Sequence, residues 1–284
     1  MKPLSSIAIA VHPELPLAAE EARHLAALLE ADGLTVQQGS LFDRALQEGA
    51  AAKAFDLWIA LGGDGTLLRS GQLCGPVGIP VLGINMGRLG FLMDLQREDW
   101  RTQIRPLLAG DYWLEPRMML HVERCAGDQV EGSWEVLNEV VVSRDDVARP
   151  VHLITSVDNS YLTTYVADGL IAATPTGSTA YALAAGGPVL PPQLRNFLIV
   201  PVAPHLCFER AIVLAEGSTV SIRVRTRHKA AISLDGQRSI PLLDGEEIVV
   251  SASRHTVNFV RMQPPDYFYR NLTSRMHSNM RMTE

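Results

Sequence analysis

The sequence predicts an α/β N-terminal domain on a parallel sheet, a β-rich, sandwich-like C-terminal domain, and a C-terminal helix returning to the first. Three observations lead there. Aliphatic runs alternate with helical spacing over the first hundred residues, which is the pattern of βα units. From about residue 115 the texture changes to short β-branched stretches separated by turns. The 284 residues, 47% hydrophobic and 20% charged, supply sizeable globular cores, and at ~150 residues per domain amount to about two domains. The expected division is 1–112, 113–265 and 266–284.

Residues 5–12 hold the unbroken aliphatic run Ile7-Ala8-Ile9-Ala10-Val11, as a strand buried on both faces should, and apolar spacing at Leu17, Ala18, Ala22, Leu25, Leu28 and Leu29 predicts a helix after it. Residues 56–61 form a second strand that ends in Gly62-Gly63-Asp64-Gly65-Thr66, with a helix opening at Leu67-Leu68-Arg69. Residues 80–85 repeat the strand-then-glycine pattern, and 97–109 read as helix. In the second half, strands are expected at 118–123, 134–143, 151–157, 161–168, 219–225, 230–234, 248–251 and 256–261, with turns at Asp235-Gly236 and Asp244-Gly245. One helix is expected to begin near Ser178, run through Ala185 and end at Gly186-Gly187. The tail mixes Tyr267, Phe268, Leu272 and Met276 with Arg270, Arg275 and Arg281, as a helix packed on the body would.

A net charge of −6 has the wrong sign for a protein that works on nucleic acid or an anionic membrane, so any phosphate must be bound locally. Cys74, Cys125 and Cys207 are odd in number and far apart, which encodes neither a disulfide framework nor a zinc site and suits a reducing cytoplasm. The uncharged stretch between Gly169 and Leu194 is broken by prolines and hydroxyls, so it reads as backbone approaching a ligand rather than a membrane span. The eight histidines show no metal-ligand spacing, and no residue is assigned to a metal.

Three segments can carry chemistry. In Gly62-Gly63-Asp64-Gly65-Thr66 the glycines admit main-chain N–H groups to a phosphate or ribose, and Asp64 is either a base or metal-associated carboxylate, or a helix N-cap. Asn138-Glu139 interrupts the apolar run 134–142. Adjacent strand residues face opposite ways, so one of the pair meets either a polar site or solvent. Asp168 and the run Thr174-Pro175-Thr176-Gly177-Ser178-Thr179-Ala180-Tyr181 offer N–H groups and hydroxyls at the expected helix start and a ring for a base to stack on, although a capped helix with a core tyrosine would use the same residues.

In order and spacing these segments, with Asn85-Met86-Gly87-Arg88-Leu89-Gly90-Phe91-Leu92, resemble the NAD kinase family over nearly the whole chain. The glycine turn is shared with lipid kinases and phosphofructokinases, whereas the eight-residue run is specific. The resemblance implies transfer of the terminal phosphoryl group of ATP, with a divalent ion such as Mg2+, to the 2′-hydroxyl of the adenosine ribose of NAD. It implies Asp64 as general base, with Gly63, Gly65 and Arg69 beside the dinucleotide. It puts Phe91 and Tyr181 at the adenine, Asn138 and Glu139 at the nicotinamide-side ribose, and Asp168 at the nicotinamide end. Thr176, Thr179, Ala180, Ala182, Leu183 and Ala184 line the cleft, with Arg149 and Gln237 nearby. It further implies a homodimer or homotetramer, which with the cysteine pattern gives a cytoplasmic assembly. A lipid kinase and a non-catalytic NAD-binding sensor are the alternatives; the negative charge and the absence of a basic amphipathic helix oppose the first, and Asp64 the second.

Overall fold

A computed structural model describes residues 3–87, 90–146, 149–205, 208–270 and 272, without the side chain of residue 238. The chain divides into two compact units, Met1–Pro116 with Thr256–Glu284, and Arg117–His255. Two long strands, β6 (Trp113–Ala126) and β17 (Glu247–Arg261), each run from one unit into the other.

The first unit follows the βα alternation. β1 (Ser6–Val11), α1 (Pro16–Ala31), β2 (Thr35–Ser40), α2 (Arg44–Ala51), β3 (Leu57–Gly62), α3 (Asp64–Cys74), β4 (Val81–Asn85), β5 (Leu95–Gln96) and α4 (Trp100–Ala109) succeed one another. The strands lie parallel in the order β2-β1-β3-β4, with β5 beside β4 and Phe259 of β17 registered with Val81. All six residues of β3 are buried, as parallel strands covered on both faces require. Pro16 starts α1, where a missing N–H costs nothing, and the Asp43 side chain caps α2 by accepting the Ala45 N–H. Ile7, Ile9, Leu25, Leu29, Ile59, Leu61, Leu82, Trp100 and Ile104 share one core.

The second unit also contains β7 (Gln129–Val136), β8 (Glu139–Arg144), β9 (Val151–Val157), β10 (Ser160–Ala167), β11 (Gly169–Ala173), α5 (Tyr181–Ala184), β12 (Phe197–Val202), β13 (Ile212–Leu214), β14 (Thr219–Arg225), β15 (Ala230–Leu234) and β16 (Arg238–Leu242). One antiparallel sheet has the order β13-β12-β11-β8-β15-β16, and β10-β9-β14-β17 forms a second antiparallel run. Leu120, Val136, Val140, Leu153, Tyr165, Phe197, Ile222 and Ile248 are among the residues that fill this unit's core.

Three local expectations fail. The strands expected at 248–251 and 256–261 are one continuous strand, β17. The stretch 134–143 is two strands, β7 and β8, separated at Leu137-Asn138. The helix from Ser178 is a single 3-10 turn, Gly177–Thr179, followed by four-residue α5, broken at Ala180, whose φ of −104° and ψ of −126° are not helical. With so few aligned peptides it has no dipole end to offer a phosphate. Gly186 does close the segment in the left-handed region, at φ 85°. Most of the expected C-terminal helix, Asn271 and 273–284, lies outside the described residues. Before it, Tyr267 is buried and donates its hydroxyl to Glu115.

Candidate functional site

In the first unit the glycine turn joins β3 to α3. A Cβ on Gly62 would lie 2.2 Å from the Thr66 hydroxyl, so packing alone requires that glycine. Gly63 and Gly65 have no atom within 4 Å of where a Cβ would stand; the space beside them is open to a ligand. Asp64 is the first residue of α3, yet its side chain caps nothing in that helix. Its Oδ2 accepts the Phe91 N–H at 2.6 Å, and its Oδ1 accepts those of Leu92 and Met93 at 3.1 and 3.3 Å. Gly90 lets the loop come this close, since a Cβ there would sit 2.2 Å from Oδ1. A carboxylate offers about four lone-pair sites, so three N–H donors leave room for about one more.

The same loop is held from its other side. Arg261, 1% exposed, donates Nη1 to the Leu92 carbonyl at 2.7 Å and Nε to Glu115 at 2.8 Å. Asp94 accepts the Met262 N–H, and the Asn85 side chain bridges Gly87 and Gln96. Arg69 lies over the Phe42 ring at 5.3 Å. Phe91 is partly exposed; Arg88 and Leu89 of the expected motif lie outside the described residues.

In the second unit the break at Leu137-Asn138 has a specific cause. Asp235 accepts the N–H groups of Leu137, Asn138 and Glu139 at 2.8, 2.7 and 2.8 Å, and returns its own N–H to the Glu139 carbonyl. The hydroxyl of Thr174 donates to the Leu137 carbonyl, and the Thr174 N–H to that of Asn138. Gly177 packs so tightly on Asn138 that a Cβ would meet its carbonyl oxygen at 2.2 Å. Backbone clamped on both edges presents the two side chains: Asn138 Oδ1 and Glu139 Oε2 are buried with no hydrogen-bond partner among the described residues. Unpaired buried acceptors are costly, which marks the pair for a ligand.

Glu139 is 6% exposed, and its carboxyl is pushed up to about 8, first by burial and then by the Asp235 charge. A raised carboxyl binds its proton more tightly folded than unfolded, so this contribution is full below about pH 4.5 and is lost as pH rises through about 8. Within that window it amounts to about 1.4 kcal/mol per pH unit. Urea titrations should therefore show Glu139→Gln gaining on the unsubstituted chain as pH rises from about 5 to about 8; a constant offset would contradict it.

Asp168, which precedes the uncharged stretch, has a cation beside it. Arg144 forks onto it, Nε to Oδ1 at 2.6 Å and Nη2 to Oδ2 at 3.0 Å, and this guanidinium holds the carboxyl below its ordinary range. Both line a depression of about 240 Å³ with Ser143 and Tyr181, a residue 45% exposed. Thr176 is buried against Arg117, Ser178 is taken up by Pro175 and Leu190, and Thr179 donates to the Thr176 carbonyl. Those hydroxyls shape the turn. Ala182 is buried, while Ala180 and Leu183 are partly exposed and Ala184 is exposed. Gln237 closes the turn after Asp235, and Arg149 lines a different, basic depression with Arg225, Arg227 and His228. Asp235 and Arg144 are the functional candidates that sequence reading passed over. The former was visible only as half of a turn.

Residues 4–112 match the ATP-NAD kinase N-terminal domain and residues 137–262 the ATP-NAD kinase C-terminal domain. The chain is 38% identical over 273 residues to an NAD kinase of Chloroflexus aggregans, covering 96% of this chain and 99% of that one. It is 39% identical to an NAD kinase of Symbiobacterium thermophilum, with 95% and 98% covered. An Archaeoglobus fulgidus NAD kinase in complex with ATP superposes with a TM-score of 0.76 at 27% identity, covering 96% of this chain and 99% of that one. Yeast NADH kinase complexed with NADH has the same fold, at a TM-score of 0.81 and 24% identity, over 98% and 89%.

Proposed function

The chain belongs to the NAD kinase family, and on that premise we propose that it moves the terminal phosphoryl group of ATP to the 2′-hydroxyl of the adenosine ribose of NAD through Asp64. The observation that carries this reading is the Asp64 carboxylate, fixed by three N–H groups beside two glycines with open space and keeping room for one more donor. A ribose hydroxyl, protonated at neutral pH, fills that place and passes its proton to the carboxylate as the oxygen attacks the terminal phosphorus of ATP and the bond from that phosphorus to the bridging oxygen breaks, releasing ADP. Gly63 and Gly65 admit the dinucleotide to main-chain N–H groups, and Arg69 stands one turn along α3.

Asn138 and the Glu139 carboxyl, which keeps its proton up to about pH 8, supply hydrogen-bonding groups for the hydroxyls of the nicotinamide-side ribose, which their unpaired oxygens support. Asp168 takes the nicotinamide end, and Phe91 and Tyr181 the adenine; the exposed Tyr181 ring supports its part. Thr176, Thr179, Ala180, Ala182, Leu183 and Ala184 form the backing of the cleft, with Gln237 at its margin, while Arg149 lies apart in the basic depression. Among the described residues no three His, Cys, Asp or Glu side chains gather as a metal site. That suits a Mg2+ ion arriving on the phosphates of ATP, since Mg2+ is commonly bound through one or two carboxylates and substrate oxygens. When bound, it neutralises phosphate charge.

We place the protein in the cytoplasm as a homodimer or homotetramer. Among the described residues no helix is long and apolar enough to cross a membrane, and Cys74 and Cys125 are free. The test is NADP formation from NAD with ATP and Mg2+ by the full chain, with NADH, inorganic polyphosphate and diacylglycerol in parallel. NADP should form; turnover of the lipid without any of NAD would overturn the reading.

A further inference from the structure

We propose that Asp235 is a positioning residue for the dinucleotide, holding Asn138 and Glu139 in the geometry that binds its ribose. The proposal rests on the assignment of Asn138 and Glu139 to that ribose and adds the group that makes them a site. In a continuous strand the two side chains would point to opposite faces, one toward each layer. Instead the strand breaks at Leu137-Asn138, and one carboxylate collects three consecutive N–H groups that have left the ladder. Asp235 itself is 5% exposed and sits at φ 48°, followed by Gly236 at φ 64°, a left-handed pair that turns the carboxylate back onto the break. Thr174 and Gly177 fix the same tripeptide from its carbonyl side but leave all three N–H groups to Asp235. Asp235 reaches the ligand only through the pair it holds.

Asp235→Asn is the informative change. Asparagine tolerates the left-handed backbone, and its single oxygen keeps two of the N–H bonds, while its NH2 group opposes the third. Steady-state kinetics should show the KM for NAD rising by roughly 10- to 100-fold, as expected for displacement of a binding group by a fraction of an ångström to ~1 Å, with the KM for ATP unchanged and kcat reduced less. Asp235→Ala should be worse and Asp235→Asn a partial rescue. A purely structural role would lower kcat through the active fraction and leave the KM for NAD alone, which overturns the proposal. Asn138→Ala is the control. If it raises the KM for NAD while Asp235→Asn does not, the positioning role fails and the ribose assignment stands. If neither changes that KM, the ribose assignment fails and the proposal with it. Should the Asp235 variants not fold, hydrogen exchange on the unsubstituted chain decides. The amides of Leu137, Asn138 and Glu139 should exchange as slowly as those of β8 before any NAD is added, and rapid exchange that slows only on adding NAD overturns it.

Discussion

Asp64→Asn is expected to retain NAD binding and to lose about 10²- to 10⁴-fold in turnover, the usual cost of removing a general base. The geometry adds a second consequence. Asparagine keeps one acceptor oxygen and places an NH2 group against at least one of the Phe91, Leu92 and Met93 amides, so the loop is perturbed as well. The two effects separate by measurement. NAD affinity from calorimetry and exchange of those three amides report the loop, while single-turnover NADP formation reports the proton acceptor. Near-normal single-turnover rates would show that Asp64 is only a strut for the loop.

Arg261→Leu is expected to destabilise the first unit by about 3–5 kcal/mol, because it strands buried carboxylates that have lost their counter-charge. Glu115 and Asp94 both lie within 4 Å of the guanidinium, and their side chains are 0% exposed. Chemical denaturation monitored by Trp58 or Trp100 fluorescence gives the value. Restoring stability with Glu115→Gln in the same chain would show that uncompensated charge, rather than lost packing, sets most of it. Turnover should fall too, since the Leu92–Met93 peptide loses the carbonyl contact that steadies the Met93 N–H toward Asp64.

The parts of this fold that show in the sequence are those with a repeating physical cause. A strand buried on both faces, such as Leu57–Gly62, is apolar throughout; a helix such as Pro16–Ala31 carries its buried residues at helical spacing. The glycine turn and Asn138-Glu139 stand out because polar or Cβ-less residues interrupt such patterns. What stays hidden is contact between distant positions of ordinary type. Asp235 is 97 residues from Asn138 and looks like any Asp-Gly turn, and Arg261 is 169 residues from Leu92, at the end of an apolar run. The break at Ala180 is hidden for a different reason. Ala180 through Ala185 favour helix locally, so nothing in their residue types signals the break.

The passage of β6 out of the first unit and of β17 back into it makes the second unit an insertion, and this dictates an order of events during synthesis. When the ribosome has finished Pro116, the parallel sheet still lacks Phe259, and Glu115 and Asp94 still lack Arg261. The nascent chain must emit the whole of the second unit before those arrive. The part that emerges first is therefore the part completed last, and a prematurely terminated product ending before Thr256 carries the glycine turn on an unfinished support.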